Sequence, residues 1–492
     1  MSVAPPDLRA LARTFALTFV LEAMLIASLV LRHDAFPDVD GMYHAKMGWL
    51  LYYEGFRRDF PWMVCSITAE HWADHHFLYH ALIAPLAPLG LVLMHRAAAI
   101  AVGALGLAAT LTKMAKDGAR PMWFWALALP LCGDVFLYRM VLTRAMPLCL
   151  ALLVLFVDAL EANRPRRVAL AAFVAMWAYQ GALFFAPIAV FAAAIAWRQG
   201  RPGAVRLVAY ALGGLVLGLS LNPFAPATWD FLMLHLGPYL SHGRNTLRPD
   251  IGPEWAPATW SLAPRVWPAI ALGAVVPLAA LARRRFDPRD ALLAVTLAMF
   301  TVSTLRAQRF IEYAAPVAVM LGARALSRGV FEGLAAPRVL RWLRAGAMAA
   351  FALAGAWHWR EVDAGGFRAG YREAEGAARF LASHTAPGEV VFHGGWAEFA
   401  PLFFFNHHNR YLYGLDPYFF VEYDPRRYVD YRRVVAGDDA DPVAAITGRF
   451  GSRWVLLVAR PESMRLARQL GADRRARVAW RDDKVLIFVL QP

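Results

Sequence analysis

The chain has 492 residues, 59% of them hydrophobic and only 18% charged, with a mean hydropathy of +0.40, which excludes a water-soluble globule and reads as an integral membrane protein. Its formal charge is +14, from 51 basic and 37 acidic residues, a balance that in a soluble protein would suggest nucleic acid. Here the basic residues sit in short connectors: Arg9 and Arg13, then Lys113, Lys116 and Arg120, Arg164, Arg166 and Arg167, Arg198, Arg201 and Arg206, Arg283 to Arg285, and Arg338, Arg341 and Arg344. That is the pattern of cytoplasmic loops, and no nucleic-acid partner is expected.

The first apolar run, "FALTFVLEAMLIASLVL" at 15–31, lacks a small-residue cleavage site and reads as a retained first transmembrane helix. With every basic connector in the cytoplasm, about eleven spans follow, near 12–31, 96–112, 121–139, 145–162, 168–182, 183–197, 204–221, 264–282, 288–304, 311–327 and 343–359. The fifth and sixth share one stretch in which Gly181 and Pro187 mark a tight reversal or a broken helix, so nine or ten spans are the alternatives. Segment 76–95 reads as an interfacial or re-entrant helix, because a crossing there would put Lys113, Lys116 and the Arg164 cluster outside.

This path gives a transmembrane unit, residues 1–359, with outer loops at 32–95 and 222–262, and a soluble unit, 360–492, on the same outer side. In the second unit "YREAEGAARFLASH" reads as an amphipathic helix and "EVVFHG", "RWVLLVA" and "VLIFVLQ" as strands. The expected fold class is therefore a polytopic α-helical membrane protein with a small C-terminal α/β domain. Cys65, Cys132 and Cys149 are odd in number and lack C-x-x-C spacing, so neither a disulfide framework nor a zinc ribbon is indicated.

The first outer loop is too polar for a simple connector. It holds Asp34, Asp38, Asp40, Glu54, Asp59, Glu70 and Asp74 together with His71, His75, His76 and His80. If 69–81 is helical, His71 and His75 share one face, His76 and His80 a neighbouring one, and Asp74 lies close to both. Carboxylates and imidazoles so arranged bind a divalent metal or act as general bases; the alternative is a set of solvated caps and local ion pairs. No H-E-x-x-H pattern is present.

Asp38-x-Asp40-Gly-Met-Tyr43-His44, just after the first helix, resembles the GT-C superfamily of multi-span glycosyltransferases, which includes the oligosaccharyltransferase catalytic subunit and protein O-mannosyltransferases. The resemblance covers most of the chain as a layout, supported by "ADHHFLYH" (73–80), "NPFAPATWDFLMLHL" (222–236), "IGPEWAP" (251–257) and "HGGWAEFAPLFFFNHHNRYLYGLDPYF" (393–419). It implies an essential acid in this loop, with Asp40 the best match and Asp38 the second. It also implies a donor-phosphate arginine in a late helix, which Arg309-Phe310 matches. Arg306 and Arg144 are expected at the donor phosphate too, and Arg139 with Arg144 adds positive potential there, although Arg309 could instead pair with Glu312 or a loop carboxylate, and Arg139 and Arg144 could serve lipid headgroups.

Tyr43, His44, Glu254, Trp255 and Trp396 are the expected substrate contacts, Glu254 and Trp255 having an aromatic belt at the interface as their alternative. A divalent ion, Mg or Mn, would call on Asp40, Asp74, His76 and His80. The chain departs from oligosaccharyltransferases in lacking W-W-D-Y-G, for which Gly395 to Phe399 is the nearest stretch, and in offering only Asp134 as a second-loop acid. The implied function is transfer of a sugar from a polyprenyl-phosphate carrier to a glycan, lipid or protein acceptor on the extracytoplasmic side of the inner membrane. Transfer from a pyrophosphate carrier, lipid or sugar transport without chemistry, and a catalytically inactive scaffold of the same fold are the rivals.

Overall fold

The computed structural model describes residues 7–240 and 252–491, so part of the second outer loop, 241–251, lies outside the described residues. The chain opens with α1 (Leu8–Val30), capped by Asp7, whose carboxylate accepts from the Arg9 backbone N–H at 2.9 Å. A two-residue strand β1 (Ala35–Phe36) follows, then α2 (Asp40–Tyr53), α3 (Phe77–Ile83) and α4 (Leu91–Lys116).

The helix expected over 69–81 does not form as such: a single turn covers Ile67–Ala69 and α3 starts only at Phe77. Asp74 is the reason. Its Oδ1 accepts from the His76 N–H at 3.0 Å, a local turn that competes with helix. Pro85 and Pro88 then end the helical stretch before Gly90, whose φ is +82°, so 77–89 is a separate element too short to cross a membrane.

Helix α4 is packed tightly because it carries no side chains where neighbours approach. A Cβ on Gly103 would stand 2.4 Å from the Met140 carbonyl, and one on Gly106 2.5 Å from that of Pro147. The span expected at 121–139 is broken into α5 (Met122–Ala128) and α6 (Asp134–Met140). Pro130 removes a backbone donor there, and Gly133 admits the carbonyl of Arg265 within 2.8 Å of where its Cβ would lie.

Next come α7 (Met146–Glu161), α8 (Pro165–Ala178), α9 (Phe185–Arg198), α10 (Ala204–Ser220) and α11 (Ala227–Leu240). The long apolar stretch at 168–197 is thus two helices, separated by extended Tyr179 and a tight turn over Gln180–Phe184. Helices α12 (Trp267–Ile270) and α13 (Val276–Ala282) join through a wide turn, and α14 (Ala291–Arg306), α15 (Ile311–Ser327) and α16 (Pro337–Gly365) complete the bundle. Each expected span contains helix, and among the described residues six helices are long and apolar enough to cross a membrane. The chain is a multi-pass membrane protein.

After α16, which runs six residues beyond the expected boundary at Trp359, lie β2 (Ala369–Gly370), α17 (Tyr371–His384), β3 (Val390–His393), α18 (Phe399–Phe405) and β4 (Arg410–Tyr411). Strands β5 (Trp454–Val458), β6 (Ala476–Arg481) and β7 (Val485–Leu490) complete a sheet of order β4-β3-β5-β7-β6, parallel on the β4-β3-β5 side and antiparallel beyond it.

This C-terminal unit is welded to the first loop. β1 pairs antiparallel with β2, and beside β4 the Tyr411 N–H donates to the Trp62 carbonyl at 2.8 Å while the Val64 N–H donates to that of Tyr411 at 2.9 Å. Phe60, Trp62 and Trp72 from the loop share one buried cluster with Phe399, Phe403 and Tyr411. Each such aromatic contributes about 1.5–3 kcal/mol by burial. The loop and the sheet are one core.

Candidate active site

Asp38 and Asp40 straddle the start of α2. The Asp38 Oδ1 accepts from the Gly41 N–H at 3.3 Å, which caps the helix, and its Oδ2 accepts from Arg144 Nε at 2.6 Å. Arg144 also reaches Asp40 at 2.8 Å and Glu254 at 3.0 Å. One guanidinium therefore gathers three carboxylates from two loops distant in sequence.

Arg309 is treated differently. It lies on the turn Gln308–Phe310 that joins α14 to α15 and is 8% exposed. Its guanidinium stacks 4.3 Å from the Trp255 ring centroid and stands 3.5 Å from the Tyr179 hydroxyl. Glu312, the alternative partner, is instead bonded to Arg139 Nε at 2.8 Å, with both side chains buried. Among the described residues Arg309 has no ion pair.

A cavity of about 310 Å³ lies between these groups. Asp38, Asp40, Tyr43 and His44 line it from α2, Arg144, Glu254, Trp255 and Arg309 from the bundle and its loops, and Trp396 from the C-terminal unit. Tyr179 and Phe419 line it as well, neither of them singled out from sequence. Tyr179 had one signal: it precedes the polar Gln-Gly break between two apolar helices. Arg306 is corrected. It is exposed on the last turn of α14 and outside the cavity wall, because the turn between the helices points the two arginines apart.

The expected metal set is corrected too. Asp74 and His80 lie behind the cavity wall, where Asp74 Oδ2 meets His80 Nδ1 at 2.6 Å, while Asp40 is committed to Arg144. Among the described residues no three His, Cys, Asp or Glu side chains are grouped to hold a metal ion, so Asp40, Asp74, His76 and His80 do not make one ligand set.

Electrostatics separates the carboxylates. Burial raises Asp40 to about 6 against the pull of Arg144, with the Asp38 and Glu254 charges adding to the rise. Glu254 is also raised by burial, but Arg144, Arg139 and Arg309 outweigh it and hold the group down at about 2. Near neutrality one acid sits poised to exchange a proton and the other stays charged.

Fold and site together define a helical membrane protein with an acid–arginine cavity that the C-terminal α/β unit helps to line. No protein-family model and no curated protein matches the chain. Solved structures do. An oligosaccharyltransferase from Archaeoglobus fulgidus in its apo form superposes with a TM-score of 0.61 at 12% identity, over 90% of this chain and 69% of that one. ArnT from Cupriavidus metallidurans, solved bound to undecaprenyl phosphate, gives 0.58 at 14% identity and 98% coverage of both chains. A mycobacterial arabinofuranosyltransferase, AftD, gives 0.57 at 18% identity, over all of this chain and 42% of that one. The likeness is one of fold, shared with these three solved structures.

Proposed function

We propose that the chain is a GT-C glycosyltransferase that moves a sugar from a polyprenyl-phosphate donor to an acceptor on the extracytoplasmic side of a cell inner membrane. The observation that carries this reading is one cavity in which Asp40 faces Arg309, which has no ion pair among the described residues. Sugar transfer needs both halves. The acceptor oxygen bonds to the anomeric carbon as the bond from that carbon to the phosphate oxygen breaks. A base takes the acceptor's proton, and negative charge grows on the leaving phosphate.

Asp40 is the base, held by Arg144 and raised by burial into a range where it can accept a proton. Arg309 receives the phosphate, for its guanidinium is desolvated, held over Trp255 and in no ion pair with a described carboxylate. Glu254 and Asp38 hold Arg144 in place. Trp255 and Trp396 offer flat faces to a sugar ring. The fold's likeness to a structure containing undecaprenyl phosphate supports a lipid-linked donor.

The test is transfer by purified protein in nanodiscs, with a panel of polyprenyl-phosphate sugars and accessible hydroxyl acceptors. Cleavage of the donor that depends on Asp40 is the expected result. Movement of intact donor across the bilayer without cleavage would replace the enzyme by a transporter.

A further inference from the structure

From the cavity wall inward three side chains form an unbroken line. Asp74 Oδ2 stands 2.6 Å from His80 Nδ1, and His80 Nε2 stands 2.9 Å from His44 Nδ1. All three are buried, at 4%, 1% and 5% exposure, and of the three only His44 lines the cavity. The order is carboxylate, imidazole, imidazole, cavity.

The carboxylate sets the polarity of the line. An Asp74 carboxylate accepts, and opposite it His80 Nδ1 carries a proton and donates it. In neutral His80 the Nε2 is then a bare acceptor, which requires His44 Nδ1 to be the donor. That leaves the His44 Nε2 bare, and it is the ring nitrogen left for the cavity. Burial above all keeps the His44 imidazole well below its ordinary value, which favours the neutral ring the wiring needs.

We propose that Asp74, His80 and His44 are a proton relay that drains the transfer site. The idea rests on the reading of the cavity as one where an acceptor hydroxyl loses its proton. A proton released there bonds to His44 Nε2, the Nδ1 proton of His44 passes to His80 Nε2, and the positive charge comes to rest on the imidazole paired with Asp74. His44 ends neutral, with its two nitrogens exchanged. No oxidant, metal or further reactant is needed. His44 contacts the site; His80 and Asp74 act through it as positioning residues.

One substitution reverses the line. Asp74 Oδ1 accepts from the His76 backbone N–H at 3.0 Å, and in Asp74→Asn the amide oxygen must stay on that donor, which turns the amide nitrogen toward His80. His80 Nδ1 then accepts, its Nε2 donates, and His44 presents an N–H to the cavity instead of a lone pair.

The experiment is nitrogen NMR of histidine-labelled protein in nanodiscs, with His44→Gln and His80→Gln samples used only to assign signals. Native protein should show His44 protonated on Nδ1 and bare on Nε2, and Asp74→Asn should show the opposite. Turnover in Asp74→Asn should fall about 10²-fold, the scale of a lost proton-transfer partner, with unchanged donor affinity. A protonated His44 Nε2 in the native protein overturns the relay, as does native turnover in Asp74→Asn. The native spectrum needs neither a folded variant nor a known donor, so it judges the wiring even if the glycosyltransferase reading fails, which would show instead as no donor cleavage by native protein.

Discussion

Arg139 donates to Glu312 at 2.8 Å inside the bundle, and this pairing leaves Arg309, three residues before Glu312, with no ion pair among the described residues. The pair should therefore be structural, and breaking it on one side should be worse than removing both. Glu312→Gln leaves the buried Arg139 guanidinium only its longer contact to Glu254, at 3.8 Å, and should cost about 3–5 kcal/mol of stability. The double variant Arg139→Met, Glu312→Leu should cost less than either single change, as read by thermal unfolding in detergent. Additive losses would show that the two residues do not act as a pair.

Arg309→Ala should weaken donor binding by about 1.5–3 kcal/mol, the scale of a lost charge-assisted hydrogen bond, while thermal stability changes little. Arg309→Lys should recover only part of this, since a point charge cannot reproduce a planar fork placed over the Trp255 ring. Titration of a polyprenyl-phosphate sugar into each protein gives the comparison, and equal affinities would remove Arg309 from the donor site.

Asp40→Asn should abolish transfer in a folded protein, because the amide keeps the size of the side chain but cannot take a proton. Asp38→Asn should also harm the protein, by a different route. Its cap on Gly41 survives, but its charge-assisted bond from Arg144 weakens, with a stability loss of about 1.5–3 kcal/mol. The pair of variants is told apart by melting temperature against turnover. A fully active Asp40→Asn protein would end the assignment of the base.

Because Asp40 is raised from 3.8 to about 6, the folded protein holds this proton more tightly than the unfolded chain does. Its contribution to stability is thus full below about pH 3.8 and is lost as pH rises to about 6. The stability of Asp40→Asn relative to native should rise across that window and then level off. Transfer, which needs the ionised carboxylate, should show an acid limb near pH 6. An acid limb near pH 4 instead would mean that burial does not control this group.

Asp483→Cys, at the exposed turn between β6 and β7, should react with an impermeant thiol reagent only from the extracytoplasmic side. Cys65, Cys132 and Cys149 are all buried, so their background is low. Reaction from the cytoplasm alone would invert the topology.

Local pattern made much of this fold legible. The long apolar runs are helices, "YREAEGAARFLASH" is α17, and the strands expected around Val390, Trp454 and Val485 are β3, β5 and β7. Strand β6, Ala476–Arg481, escaped because its residues are mostly exposed or half-buried and show no apolar run. The break between α5 and α6 escaped because Gly133 makes room for Arg265, a neighbour far along the chain. The same limit governs the site. Acid and arginine types could be read from their loops, but not that Arg144 would gather Asp38, Asp40 and Glu254, nor that Glu312 would choose Arg139 over Arg309. Such choices are set by tertiary distance, which carries no periodic signal.

The pairing of β1 with β2 sets a timetable for synthesis. Phe36 waits for Ala369, roughly 330 residues later. At about 5–20 residues per second a ribosome needs tens of seconds to cover that distance. Through that interval the acidic loop has been delivered but stands without the sheet that shares its core, its aromatic side chains uncovered. Trp396 and Phe419 complete the cavity wall only once the last quarter of the chain has arrived. A nascent or truncated copy thus cannot assemble the cavity, and a premature stop beyond the final membrane helix should leave a fully inserted protein that quality control recognises by its uncovered aromatic loop.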